Sequence, residues 1–160
     1  MKRRMIAAAL VGGASALLAG CGVQPSGVED GPSAPTGVAP GTTLYFLDHD
    51  GNLTAQQRKT GRLGTASEAV SLLLTGPGDS DVHTDIDDPA SVTRTEVTVS
   101  GERMSVRVPI ASTELTADGV DQIVCTALAS HIQAGGSTET RVGIRFTDRA
   151  QDSRTCPVLD

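Results

Sequence analysis

The chain has no tryptophan, one tyrosine and two phenylalanines among its 160 residues. Single-stranded nucleic acid is held by stacking its bases on exposed rings, and three rings in total are too few for such a platform. A formal charge of −6 also repels phosphate backbones. No apolar run reaches the roughly 18 residues that a membrane-spanning helix needs. There is no Gly-x-Ser-x-Gly elbow. The three histidines, His49, His83 and His131, fall in a turn, an acidic stretch and a helix end. With three cysteines in all, no histidine or third cysteine stands at zinc-ligand spacing from a Cys pair. The expectation is a chain that is not an enzyme, carries no cofactor or metal and binds no nucleic acid.

What is present begins at the N-terminus. Lys2, Arg3 and Arg4 open the chain, and a run of about 14 small or apolar residues follows from Met5 to Leu18. Its length suits the core of an export signal. The run ends in Leu17-Leu18-Ala19-Gly20-Cys21, which resembles the lipobox of bacterial lipoproteins. That resemblance implies a signal peptide over 1–20, cleavage before Cys21, and a diacylglyceryl group on the Cys21 thiol. The mature protein is then lipid-anchored, with palmitate-type chains, to the outer face of the cytoplasmic membrane. Two or more acyl chains hold a protein stably where one does not. The alternative is a plain secretory signal with an incidental cysteine. Arg3-Arg4 leaves the general and the twin-arginine export routes both open.

Removing the signal leaves ten of the 13 Lys and Arg against all 19 carboxylates, a net charge of −9. Cys125 and Cys156 remain, in an exported and oxidising compartment, and read as one disulfide. It would close a loop of about 30 residues and stabilise by roughly 2–4 kcal/mol. Two unpaired buried thiols are the alternative.

Residues 21–41 are rich in Gly, Pro, Ser and Ala, with Pro25, Pro32, Pro35 and Pro40. They lack the apolar surface to fold and read as a tether. The folded part is expected over 42–148, with 149–160 a tail pinned by Cys156. Leu44-Tyr45-Phe46-Leu47 reads as a buried strand, stopped by the turn Asp48-His49-Asp50-Gly51-Asn52. Thr65 and Glu68 form a capping box for a first helix, which Gly76-Pro77 ends. Residues 95–110 read as a hairpin about Gly101-Glu102, pairing Val99 with Met104, Val97 with Val106 and Glu96 with Arg107. A second helix is expected over about 120–132 with Asp118 as its cap. Its inner side is Val120, Ile123, Val124, Ala127, Leu128 and His131 or Ile132. Residues 141–147 alternate cleanly as a last strand with Val142, Ile144 and Phe146 inward. The class is α+β, a two-layer β-α-β-β-α-β domain with both helices on one face of a small mixed or antiparallel sheet.

Along 42–146 the chain resembles the GerMN family of spore-germination and sporulation proteins and the actinobacterial lipoproteins that carry that domain. The matching stretches are Tyr45-Phe46-Leu47-Asp48-His49-Asp50-Gly51-Asn52-Leu53 and Ala69-Val70-Ser71-Leu72-Leu73-Leu74-Thr75-Gly76-Pro77. The hairpin valines and Gln122-Ile123-Val124-Cys125-Thr126-Ala127-Leu128 continue the likeness. Leu73-Leu74-Thr75-Gly76-Pro77 is its most specific piece. The loop at 79–88 is more acidic than the family's. The resemblance implies a fold similar to ring-building domains of secretion and sporulation complexes. It implies a protein-binding or regulatory role in the envelope beside a membrane or envelope protein, or self-assembly into homo-oligomers. No functional residue carries over, because the matched positions are core and turn positions.

Two segments invite a calcium reading. The first, at Asp48, lacks the bidentate Glu of a calcium hand, since Lys59 stands at the twelfth position. The second gathers Asp79, Asp81, Asp85, Asp87 and Asp88 around His83, and like-charged runs of this kind are usually solvated loops. Arg141, Arg145 and Arg149 recur along and beyond the last strand. They read as ordinary outward positions, with a basic stripe for a carboxylate or phosphate polymer of the wall as the alternative.

Overall fold

The computed structural model describes residues 41–62, 64–86 and 94–159. The expected signal peptide, Cys21 and the expected tether up to residue 40 lie outside the described residues, as do Asp87 and Asp88.

β1 (Gly41–Leu47) and β2 (Leu53–Lys59) form a hairpin, with Leu47 opposite Leu53. The turn between them is built by Asp48. Its carboxylate accepts the backbone N–H groups of Asp50 and Asn52 at 2.9 and 2.8 Å, while Gly51 supplies a positive φ of 80°. Every residue of β1 is buried. β2 is polar and carried no strand signal of its own. Its strand state follows from its partner, and Gln57 Nε2 donates to Thr43 Oγ1 at 2.6 Å across the pair.

α1 (Ala66–Leu73) starts as expected. Thr65 Oγ1 accepts from the Glu68 backbone N–H, and Glu68 returns a bond to the Thr65 N–H at 2.8 Å. Beyond its C-terminus, Arg58 of β2 donates to the Gly76 and Pro77 carbonyls at 3.2 and 3.1 Å, where a cation suits the helix dipole.

β3 (Glu96–Ser100) and β4 (Arg103–Arg107) pair in the expected register: Val99 with Met104, Val97 with Val106, Glu96 with Arg107. Gly101 has φ 58°, as the first central residue of a primed hairpin turn requires. A short 3-10 turn, Ser112–Glu114, follows, and Asp148 accepts from the Ser112 N–H and hydroxyl at 2.8 and 2.7 Å.

α2 (Ala117–Gln133) begins earlier than expected. Thr116, not Asp118, is its cap, because the Thr116 hydroxyl accepts the Gly119 N–H at 3.0 Å. Asp118 instead lies in the first turn, where a carboxylate suits the dipole. All the expected inner residues up to Leu128 are buried, and so are Gln122, Thr126 and Ser130. The helix is enclosed on several sides because α1, β1 and β5 all pack on it. Its buried polar groups are used: Thr126 Oγ1 accepts the Tyr45 N–H at 2.9 Å.

β5 (Arg141–Arg145) runs parallel to β4, and β6 (Ala150–Arg154) runs antiparallel to β5 with an irregularity between Val142 and Ile144. The segment expected as a tail thus contributes an edge strand. Arg154 on it pairs with Asp121 of α2, and Cys156 just beyond is bonded to Cys125, with the Cα atoms 4.8 Å apart. The α+β class, the two helices and the mixed sheet are those expected. The six strands divide between two sheets, β1-β2 and β3-β4-β5-β6, and α2 touches both.

Candidate functional site

The four-stranded sheet turns Met104, Val106, Val142 and Ile144 into the core. Alternation then puts Arg103, Ser105 and Arg107 of β4, and Arg141, Gly143 and Arg145 of β5, on its outer face. Parallel pairing sets Arg103 opposite Arg141 and Arg107 opposite Arg145. Arg94 and Arg149 flank one end. Apart from Lys2, Arg3 and Arg4 the chain has ten cationic side chains, and six of them gather on one face of an otherwise acidic chain.

A groove of about 540 Å³ runs over that end, between Arg94, Arg107, Arg145 and Arg149, with Pro109 and Phe146 as its apolar part. A second depression of about 330 Å³ continues it across Glu96, Thr98, Ser105, Arg107 and Arg145. Arg107 pairs with Glu96 at 3.9 Å, with both side chains about two-thirds exposed. Such an exposed pair contributes little.

β3 is held at the groove by α1. Ser67 Oγ donates to the Thr95 carbonyl at 2.6 Å, Thr95 Oγ1 donates to the Ser67 carbonyl at 2.9 Å, and the Ser71 and Thr95 hydroxyls bond at 2.9 Å. Glu96 follows directly on this latch.

The other sequence candidates are placed as follows. The Asp48 carboxylate is occupied by its own turn, and the Asn52 backbone N–H, before other causes, lowers its pKa. Asp79, Asp81 and Asp85 do not converge: among the described residues no group of three or more His, Cys, Asp or Glu is arranged to hold a metal ion. His83 pairs through its backbone with Leu47 at 2.9 Å, and His131 Nε2 lies 3.2 Å from Thr140 Oγ1. Cys125 and Cys156 form the disulfide. Among the described residues no helix is long and apolar enough to cross a membrane.

Arg141, Arg145 and Arg149 are legible in the sequence as a recurring stripe; the β4 arginines as their partners are not. The four-residue spacing of Arg103 and Arg107 was visible. The strand–helix–strand order of β4, α2 and β5 implies parallel strands, but nothing in the sequence set them side by side in this register.

No protein-family model matches the chain, and no curated protein matches it in sequence. In structure it is similar to the tandem GerMN domains of the sporulation protein GerM from Bacillus subtilis. The TM-score is 0.50 and the identity 13%, over 81% of this chain and 48% of that one. The chain thus spans about half the length of the solved structure it matches. The fold is GerMN-like.

Proposed function

We propose that this is a lipid-anchored lipoprotein of the outer face of the cytoplasmic membrane, acylated on Cys21. Its GerMN-like domain serves as a non-enzymatic binding or regulatory module of the cell envelope, in a sporulation- or germination-like role of actinobacterial type. The supporting observation is the form of the site. Its charged side chains lie on an open sheet face, which suits docking a partner better than enclosing a substrate. The lipobox-like sequence ending at Cys21 supports the anchor. A cross-linking pull-down from native membranes, with the tagged full chain and Cys21→Ala beside it, tests the reading. One enriched membrane protein, lost with Cys21→Ala, is the expected result. Tight membrane retention of Cys21→Ala would place the anchor elsewhere.

Self-assembly is the second reading, and the β3 edge favours it. β3 is an edge strand with Val99 46% exposed, and unpaired edges template strand addition. Concentration-dependent sedimentation of the full chain in detergent tests this, and a monomer throughout counts against it.

A further inference from the structure

We propose that the arginine face binds a phosphodiester-bearing glycopolymer of the envelope, each opposed arginine pair gripping one phosphate. The inference rests on the envelope reading above, which gives the face access to such polymers.

The arrangement works against stability. Like charges directly opposite on neighbouring strands are destabilising, and here two such pairs stand in register. Arginines elsewhere in the domain have internal work: Arg58 binds two carbonyls, Arg62 binds Glu68, and Arg154 binds Asp121. Of Arg103, Arg107, Arg141 and Arg145, Arg107 alone has an ion pair among the described residues, and that one is long and exposed.

The geometry fits a chain of anions. Residues four apart on a strand are about 13 Å apart, and neighbouring strands about 4.8 Å. Two guanidinium pairs thus stand one behind the other along the sheet. Guanidinium forks match phosphate oxygens in pairs. Between the pairs the floor is Ser105 and Gly143. A Cβ on Gly143 would meet nothing closer than 3.6 Å, and the glycine stands at the β5–β6 irregularity between Val142 and Ile144. Glycine in a strand commonly accompanies such an irregularity, and here it also leaves the floor between the arginine pairs without a side chain. Pro109 at the groove's end offers apolar surface to the C–H face of a sugar.

Other polyanions fit less well. An acidic peptide seeks backbone partners at a sheet edge rather than on its face. A bilayer plane confronts the acidic remainder of the domain, whereas a threaded polymer feels mainly the face within a screening length of about 8 Å. Nucleic acid lacks rings to stack on, since Tyr45, Phe46 and Phe146 are all buried in the core.

The test uses the full chain in neutral detergent and fluorescent poly(glycerol phosphate), followed by anisotropy. Binding should weaken as salt rises. Arg103→Gln with Arg141→Gln, and Arg107→Gln with Arg145→Gln, should each weaken it at least tenfold while leaving the melting temperature equal to or above the parent's. Arg107→Lys with Arg145→Lys should keep the salt dependence and lose affinity, because the forks are gone. Unchanged affinity in the Gln pairs overturns the proposal, as does a melting temperature below the parent's, which would make the arginines serve the fold. Lysine variants binding like the parent overturn the paired grip. Polyglutamate bound as tightly would assign the face to an acidic protein. Competition by phosphatidylglycerol-doped micelles would assign it to lipid headgroups. Binding is read away from any anchor, so a chain that proves unanchored would sink the reading above and leave this affinity unchanged.

Discussion

Gln122, fully buried on α2, accepts two hydrogen bonds from one loop: the Asp85 backbone N–H and the Thr84 hydroxyl, each at 3.1 Å. Its Nε2 donates back to the His83 carbonyl at 3.4 Å. His83 in turn bonds Leu47 at the end of β1. One side chain therefore ties the acidic loop to the central helix and, through the loop, to the first hairpin.

Replacing Gln122 with Met keeps the volume and removes the acceptor. A donor left unsatisfied costs about 1–3 kcal/mol; two are at stake, both only part-buried, so the expected loss is in the lower part of the summed range, roughly 2–4 kcal/mol by urea unfolding. Hydrogen exchange at the Asp85 amide should speed up in the same variant. Unchanged stability with unchanged protection would mean that the loop is held by something else.

Gly119 carries the next prediction. Glycine to alanine inside a helix normally gains about 1 kcal/mol. Here a Cβ would sit 2.5 Å from the Asp85 carbonyl oxygen and 3.2 Å from Leu115 Cδ2. Backbone cannot give way as a flexible side chain would, so overpacking reverses the sign. Gly119→Ala should lose roughly 1–3 kcal/mol. A gain in melting temperature would show that the loop moves aside freely.

Gly119 also shows where the sequence ceased to be readable. Asp118-Gly119 resembles a breaker before a helix, and the close approach that requires glycine comes from a loop over 30 residues earlier. The β3–β4 hairpin was legible residue by residue, because its apolar alternation, its Gly101 turn and the Glu96–Arg107 pair all select one register. β2 and β6 were not legible. Thr54-Ala55-Gln56-Gln57-Arg58-Lys59 and Ala150-Gln151-Asp152-Ser153-Arg154 have no apolar period, and their strand state is imposed by β1 and β5. The arginine face was half legible for the same reason. Positions along one strand can be read from spacing, whereas the strand lying beside it is a property of the fold.

The disulfide offers a stability test independent of the face. Both sulfur-bearing residues are buried, Cys125 on α2 and Cys156 beyond β6, and the bond closes 31 residues of chain. Cys125→Ala with Cys156→Ala should lose roughly 2–4 kcal/mol. Intact mass without reductant should be two hydrogens below the reduced form. Two alkylatable thiols in the native protein would remove the cross-link from the account of the β6 edge.

Acid should weaken the fold through carboxylates that the native state holds ionised. Glu68 is lowered from 4.5 to about 2, first by the hydrogen bond from Arg62 and then by the Thr65 backbone N–H and hydroxyl. Ser112 lowers Asp148, and Asn52 lowers Asp48. A depressed folded pKa means that the unfolded chain binds more protons through the window, so stability rises with pH there. The contribution is whole above about pH 5 and is lost as pH falls through the folded values toward 2. All three groups are solvent-exposed, so added salt should shrink the effect. Melting temperature measured from pH 2 to pH 7 should fall on the acid side, and Glu68→Gln should flatten that fall. A Glu68→Gln profile parallel to the parent's would mean that the capping box and the Arg62 pair add nothing to acid sensitivity.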